Sequence, residues 1–366
     1  MQKQFYFIIA ISSCLFYSAI TVGQTKDSII IKNSLVMIKP TLFSNLGESF
    51  QTPDAMAIDK NGDLYLSVPN FVKHEQLGSK ICKFNTQHQP ITWFDSLPTH
   101  PDSKTTFPMG MAFGSDGNLY IADNQSSTGK LYESRLIRVI IKNGKPIKAE
   151  VVVKGFNVAN GIRSYKNRIY VTDSYFSVKD VPDQSGIYSF AIDEFKNGLI
   201  QLQPNPSDKH ILCSFTTKAF EDKHDQGGVD GLTFDKQGNL YAGTFGDGVI
   251  SKIELTGDGK LKSKKIIIDS DKLQCCDGMY YDEKTNSIYI ANFYNNSIHV
   301  LDLTKNELRT LWENGNNDGA DGLLDQPCDP IVYKGKLLVV NFDSYITLKN
   351  KEADKFHTIS VFDISK

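Results

Sequence analysis

Short apolar runs alternate with polar turns along this chain, and the same arrangement recurs six times. The copies read PDAMAIDKNGDLYLS from Pro53, PMGMAFGSDGNLYIA from Pro108, ANGIRSYKNRIYVT from Ala159 and VDGLTFDKQGNLYAG from Val229. CDGMYYDEKTNSIYIA from Cys276 and CDPIVYKGKLLVV from Cys328 complete the set. Each copy predicts a short apolar strand, a tight turn of Asn, Asp, Gly or Lys, and a second, alternating strand. The copies start 47–70 residues apart, and long repeats of this kind are the signature of a propeller, one supersecondary unit per blade with insertions between.

Further strand-like runs follow the copies, at 91–95, 150–154, 210–215, 265–269 and 308–312, and read as outermost strands. In the fifth copy the four strands fall at 279–282, 287–292, 297–303 and 308–313. The last copy stops at a third strand, 358–364, with none after it. The run Pro40-Thr41-Leu42-Phe43-Ser44-Asn45 has the outer-strand pattern and supplies the missing fourth. Closing the ring in this way removes an exposed sheet edge. The expected fold is all-β: a six-bladed β-propeller of four-stranded blades over residues 39–366, closed by an N-terminal strand.

Residues 1–23 stand outside this pattern. Lys3, an apolar run at 5–20 and the switch Thr21-Val22-Gly23-Gln24 form an export signal with cleavage near Gly23. The apolar run is short for a spanning helix, so no membrane span is expected once it is removed. Cys14 sits in a loose lipoprotein-like context, but the apolar Leu15-Phe16-Tyr17 after it argues for a periplasmic or secreted protein instead. Residues 24–38 read as a loose lead-in. Loops at 218–228 and 314–326 enter inner strands directly and are expected to rim one mouth of the propeller, where function concentrates.

A formal net charge of −2 without basic runs gives no reason to expect nucleic acid as a partner. The segment beyond the signal holds Cys82, Cys213, Cys275, Cys276 and Cys328, an odd set. Cys276 and Cys328 occupy equivalent places in adjacent copies, so they are either a pair in an oxidising compartment or two small buried residues.

The informative variation lies at the first residue of the inner strand. Aligned there, the six copies carry Asp54, Met109, Asn160, Asp230, Asp277 and Asp329. Inner strands surround the axis of a propeller, so these side chains are expected to converge on one end of the channel. Like charges at short range raise each other's pKa or demand a counter-ion. Carboxylates and an amide oxygen suit Ca²⁺, or another divalent cation such as Mg²⁺ or Mn²⁺. Zn²⁺ suits them less, because no His or Cys cluster with ligand spacing accompanies them. The structural alternative is that Asp-Gly and Asn-Gly are ordinary turn pairs lining a hydrated channel. Met109-Gly110 keeps the Gly without the acid, while Asp54-Ala55 and Asp329-Pro330 keep the acid without the Gly, so the two features separate.

The segments ANGI…YVTDS and VDGLTFDKQGNLYAG resemble the senescence marker protein/gluconolactonase/luciferin-regenerating enzyme family of six-bladed, calcium-dependent lactone hydrolases. The resemblance implies metal ligands at Asp54, Asp230 and Asp277 and a substrate contact at Asn160. It departs from the family at Asp54, where a Glu is usual, and at Asp230, where an Asn is usual. A different phase would pair Asn160 with Asp230 and set Asp329 opposite. Paraoxonases and strictosidine synthase-like proteins share the architecture, so the resemblance leaves the substrate open between a sugar lactone and a related ester. The implied chemistry is metal-assisted hydrolysis, with Asp277 or Asp230 taking the proton of the attacking water and Asn160 orienting the substrate. A second resemblance competes: Asn317-Asp318-Gly319-Ala320-Asp321-Gly322 through Pro327 looks like the start of an NHL repeat. That implies a non-catalytic propeller binding a ligand or protein partner.

Other residues weigh less. His224 lies in a loop expected at the mouth and is a candidate proton shuttle, although a lone loop His is more often solvated surface. Asp123, Asp173, Asn292 and Asn341 end second strands and are expected near the opposite end from the ring, in structural roles. No phosphate loop, serine elbow or HExxH motif is present.

Overall fold

A computed structural model describes residues 29–32, 37–71, 74–176, 184–203, 207–217, 227–344 and 356–365. The proposed export signal and His224 lie outside these residues, as does most of the loop at 218–228. Six small antiparallel sheets follow one another along the chain and form the blades of a six-bladed propeller. Their inner strands are Met56–Ile58, Pro108–Phe113, Ala159–Tyr165, Val229–Phe234, Met279–Asp282 and Pro327–Tyr333. Blade four shows the plain pattern, with Val229–Phe234, Leu240–Thr244, Ile250–Leu255 and Leu261–Ile268 side by side. Blade six is composite. Thr41–Asn45 pairs antiparallel with Thr358–Phe362, Thr41 opposite Val361, and so provides the outer strand expected from the sequence.

The hairpin turn of each copy is held by its own sequence. In blade four Asp235 accepts the backbone N–H groups of Gln237 and Asn239, the Asn239 amide and the Tyr241 hydroxyl. Asp59 with Tyr65 and Asp116 with Tyr120 repeat the arrangement in blades one and two. Gly62, Gly117 and Gly238 take the positive φ that such a turn requires. Between blades the packing is apolar. Tyr170 and Ile187 of blade three close on Val229, Leu232, Leu240 and Ile253 of blade four. Burying each such aliphatic side chain contributes about 1.5–3 kcal/mol.

Two edges are finished in ways the repeats do not predict. Ile30–Lys32, expected as loose lead-in, adds in parallel to the outer strand Glu307–Glu313, and Lys32 pairs with Glu307 at 2.6 Å. Ile200–Gln201 adds in parallel to Lys145–Phe156 of blade two. Both cover the unpaired backbone groups of an outer strand, which a strand pattern in one copy alone cannot reveal. The segment 314–326 runs along blade six. Asn314 and Asn317 donate to the Leu324 carbonyl, and Gly322 lies against the backbone of Thr41 and Leu42. The loop folds onto the closing strand of blade six and reaches the ring end of the propeller through Asp325 and Gln326, which bond to Asn341 and Phe342, although none of its residues lines the channel pocket described below. All five cysteines beyond the signal are free and buried, and the Cys328 thiol donates to the Asp54 carbonyl at 2.9 Å.

The glycines after the ring residues have a specific purpose. A Cβ on Gly110 would be driven into the carbonyl oxygen of Asn160, one on Gly161 into that of Asp230, and one on Gly231 into that of Asp277. Gly278 meets the Cys328 carbonyl in the same way. Each glycine thus lets its strand abut the next blade, backbone to backbone. Gly231→Ala is expected to cost about 1–3 kcal/mol of stability through overpacking. Gly257→Ala, at an open site, should stay within about 0.5 kcal/mol of the parent. Urea unfolding of the two variants checks this; equal effects would refute the packing role.

Candidate functional site

Register shifts fall at Pro108/Met111, Ala159/Ile162, Val229/Leu232 and Pro327/Pro330, at the start of four inner strands. A bulge re-aims the side chains around it, and here it lies at the ring residue. Asp54, Asn160, Asp230, Asp277 and Asp329 line one pocket on the channel, together with Arg163 and the glycines that follow the ring positions. The sixth position departs from the expected convergence. Gly110 lines the pocket in blade two, while Met109 is buried in an apolar cluster with Met56, Leu66 and Val68. A thioether gains more from that cluster than from a polar channel.

Within the pocket the Asn160 amide donates to Asp230 Oδ2 at 2.6 Å. Asp329 accepts twice: Oδ2 from the Met56 N–H at 2.9 Å and Oδ1 from Arg163 at 3.2 Å. Burial is the main force on all four carboxyls, and it pushes each above its ordinary range. Asp54 is raised by burial and then by the charges of Asp230 and Asp329. Burial and Asp329 lift Asp230 to about 7 against the opposing pull of Arg163. Asp277 is raised by burial and by Asp230, Asp54 and Asp329, partly offset by the Gly278 N–H. For Asp329, burial outweighs the stabilisation given by Arg163 and the Met56 N–H.

The donor set, hard oxygens with surplus negative charge, fits a divalent cation of the calcium type. As they lie, no three acidic, histidine or cysteine side chains among the described residues stand close enough to share one ion. An ion would have to draw the ring residues inward.

Arg163 escaped the alignment because it lies three residues beyond the ring position. The equivalent places hold Ala57, Ala112, Thr233, Tyr280 and Val332, so a charge there is peculiar to blade three. Extending the alignment by three positions would have exposed it.

Asp123, Asp173 and Asn341 lie at the same end as the ring, not the opposite one. In an antiparallel hairpin the end of the second strand faces the start of the first, and Pro108 pairs with Asp123, Ala159 with Asp173 and Pro327 with Asn341. Asn292 ends its strand at the matching place. The structural roles are as expected: Asp173 accepts from the backbone of Asn157 and Val158, Asp123 from Phe107, and Asn341 from Asp325. Just beyond these strand ends a run of aromatic contacts links four blades. Phe71 touches Phe342, Phe342 touches Phe293, and Phe293 and Tyr294 both touch Phe245, with ring centroids 5.1–5.9 Å apart. The ring end of the propeller is therefore acidic at the axis and aromatic around it.

No family model matches the chain, and no curated protein matches it in sequence. Solved structures do match in shape. A gluconolactonase from Xanthomonas campestris superposes with a TM-score of 0.54 at 12% identity, over 88% of this chain and 94% of that one. The fold is that of the gluconolactonase and regucalcin propellers. The regucalcin of Agrobacterium tumefaciens, a calcium-binding protein, gives 0.56 at 12% identity over 91% and 94%. An aldose sugar dehydrogenase from Streptomyces coelicolor in its PQQ-bound form gives 0.55 at 12% identity over 88% and 97%. The shared architecture thus serves different chemistries, and only the residues of the site can separate them.

The raised carboxyls set a pH dependence. Below about pH 4, near the unfolded value for Asp, both folded and unfolded chains are protonated and the ring costs nothing. As pH rises toward the elevated folded values, about 7 for Asp230, the unfolded chain ionises first and is favoured. In chelator, stability is expected to fall across this window, and Asp230→Asn to flatten the fall. Urea titrations at a series of pH values check it; parallel profiles would contradict the assignment.

Proposed function

We propose that this is an exported, divalent-cation-dependent hydrolase of a sugar lactone or related ester, with calcium the preferred ion. One observation carries the reading: three buried carboxylates, a half-buried fourth (Asp277) and an amide line one pocket at one end of the six-bladed channel. Likeness of fold to a gluconolactonase and to a calcium-binding regucalcin supports it. Asp54, Asp230, Asp277 and the amide oxygen of Asn160 would hold the ion, whereas both oxygens of Asp329 are already engaged. A divalent ion bound there supplies a Lewis acid for a carbonyl oxygen and lowers the pKa of water.

The remaining work falls to the chain. A general base acts best with a pKa near the operating pH. Burial raises Asp230 and Asp277 only while no ion is bound; an ion beside them would lower both, so the carboxylate bearing less directly on the ion is the one left to act as base. That carboxylate can accept the proton of an attacking water and later return it to the leaving oxygen. Asn160, whose amide donates to Asp230, would orient the substrate.

A second reading, a non-catalytic propeller that binds a ligand or protein partner, draws on the NHL-like stretch before Pro327 and on the spread of the acids.

Thermal unfolding in EDTA, followed by Ca²⁺, Mg²⁺, Mn²⁺ or Zn²⁺ in excess, separates the two. A ligand of the folded state at about 100 times its Kd adds about 2.7 kcal/mol. The midpoint is expected to rise by a few degrees with one ion. Asp230→Ala and Asp277→Ala should stay folded in EDTA and lose that rise. No shift with any ion would defeat the hydrolase reading; a shift would direct lactone and ester assays to that metal.

A further inference from the structure

We infer that Arg163 is the resident counter-cation of the acid ring, and that by holding Asp329 it removes that carboxylate from the set open to a metal ion. Arg163 leaves the inner strand of blade three, yet its guanidinium donates to partners on blades five and six. Nη2 reaches the Met279 carbonyl at 2.7 Å and Asp329 Oδ1 at 3.2 Å. Nη1 donates to the Ile162 carbonyl of its own strand at 2.8 Å. Blades three and six face each other in a ring of six, so the side chain crosses the axis. Its planar fork is fixed at both sides, which suits arginine and not the single ammonium of lysine.

The setting makes the charge count. Side-chain exposure is 20% for Arg163 and 7% for Asp329, so the pair lies in a region of weak solvent screening. The guanidinium also acts on Asp230, opposing the rise that burial imposes there. Asp329 is occupied at both oxygens, by Arg163 and by the Met56 N–H. Turning it toward an ion would break both bonds and leave a buried guanidinium without its carboxylate, a costly state. Asp54, Asp230 and Asp277 have no such tie to a cation. The ring is therefore asymmetric: three acids and the Asn160 amide on blades one, three, four and five, and a neutralised pair linking blades three and six. This second half rests on the proposed function; the first half does not.

The test uses the full chain and Arg163→Gln, Asp329→Asn, the double variant and Asp230→Asn. Urea unfolding in EDTA comes first. Arg163→Gln is expected to lower the midpoint, and adding Asp329→Asn to bring no further loss or a partial recovery, a coupling typical of contacting charges. Additive losses would overturn the counter-cation role. Should Arg163→Gln fail to fold, Arg163→Lys enters the same cycle, with a smaller loss because the charge remains.

Calcium titration by calorimetry follows. Arg163→Gln frees an acid and is expected to bind at least five-fold tighter than the parent. The double variant, with the pair removed as a neutral unit, should remain within about three-fold of the parent, while Asp230→Asn loses binding. A double variant that loses calcium as Asp230→Asn does would make Asp329 a ligand and overturn its withdrawal. If the parent takes up no ion, the hydrolase reading falls with the withdrawal of Asp329, and the chelated cycle still decides the role of Arg163.

Discussion

The molecule depends on how closely its inner strands can approach around the axis. At four of the six junctions a glycine lies directly against the backbone of the next blade, where any larger residue would collide with a carbonyl. This tight fit narrows the channel, so the ring side chains face one pocket and lose most of their exposure to solvent, although no three of the acids stand close enough to share an ion. The raised carboxyls follow from that geometry, since burial is the leading cause for each of them. Packing and electrostatics at the site therefore have one origin, and they pull in opposite directions.

The chain meets this conflict unevenly. Asn160 replaces a carboxylate with an amide that donates to Asp230, Met109 withdraws into apolar surroundings, and Arg163 brings a positive charge across from blade three. Each relieves repulsion at one place and leaves surplus negative charge elsewhere. A hard cation or a polar ligand would find that surplus attractive.

Much of this was legible in the sequence because a propeller repeats. A fixed position recurring in six copies meant that Asp54, Asn160, Asp230, Asp277 and Asp329 could be placed together without any knowledge of distance. Chain closure was legible for the same reason, from one unmatched strand at each end of the repeat region. What stayed hidden was whatever a single copy does not encode. Arg163 matters only because blade six lies opposite, and Gly231 only because Asp277 comes next around the ring. The end of the propeller at which Asp123 and Asp173 lie is set by the return of the antiparallel hairpin, which brings the end of the second strand back to the start of the first. The edge strands Ile30–Lys32 and Ile200–Gln201 are too short to show a period, and their partners are distant in sequence.

Blade six also sets the timetable of assembly. Its outer strand, Thr41–Asn45, is made before the four antiparallel strands of every other blade, and its partner, Thr358–Phe362, after all of them. Joining segments so far apart in sequence is entropically costly and tends to come late and slowly in folding. Asp54 follows the first of these strands and Asp329 sits on the inner strand of the same blade. Until that seam shuts, the two acids have no fixed relation to each other or to Arg163. Nascent and partly folded chains thus carry the ring residues without their arrangement, which arrives only when the ring closes.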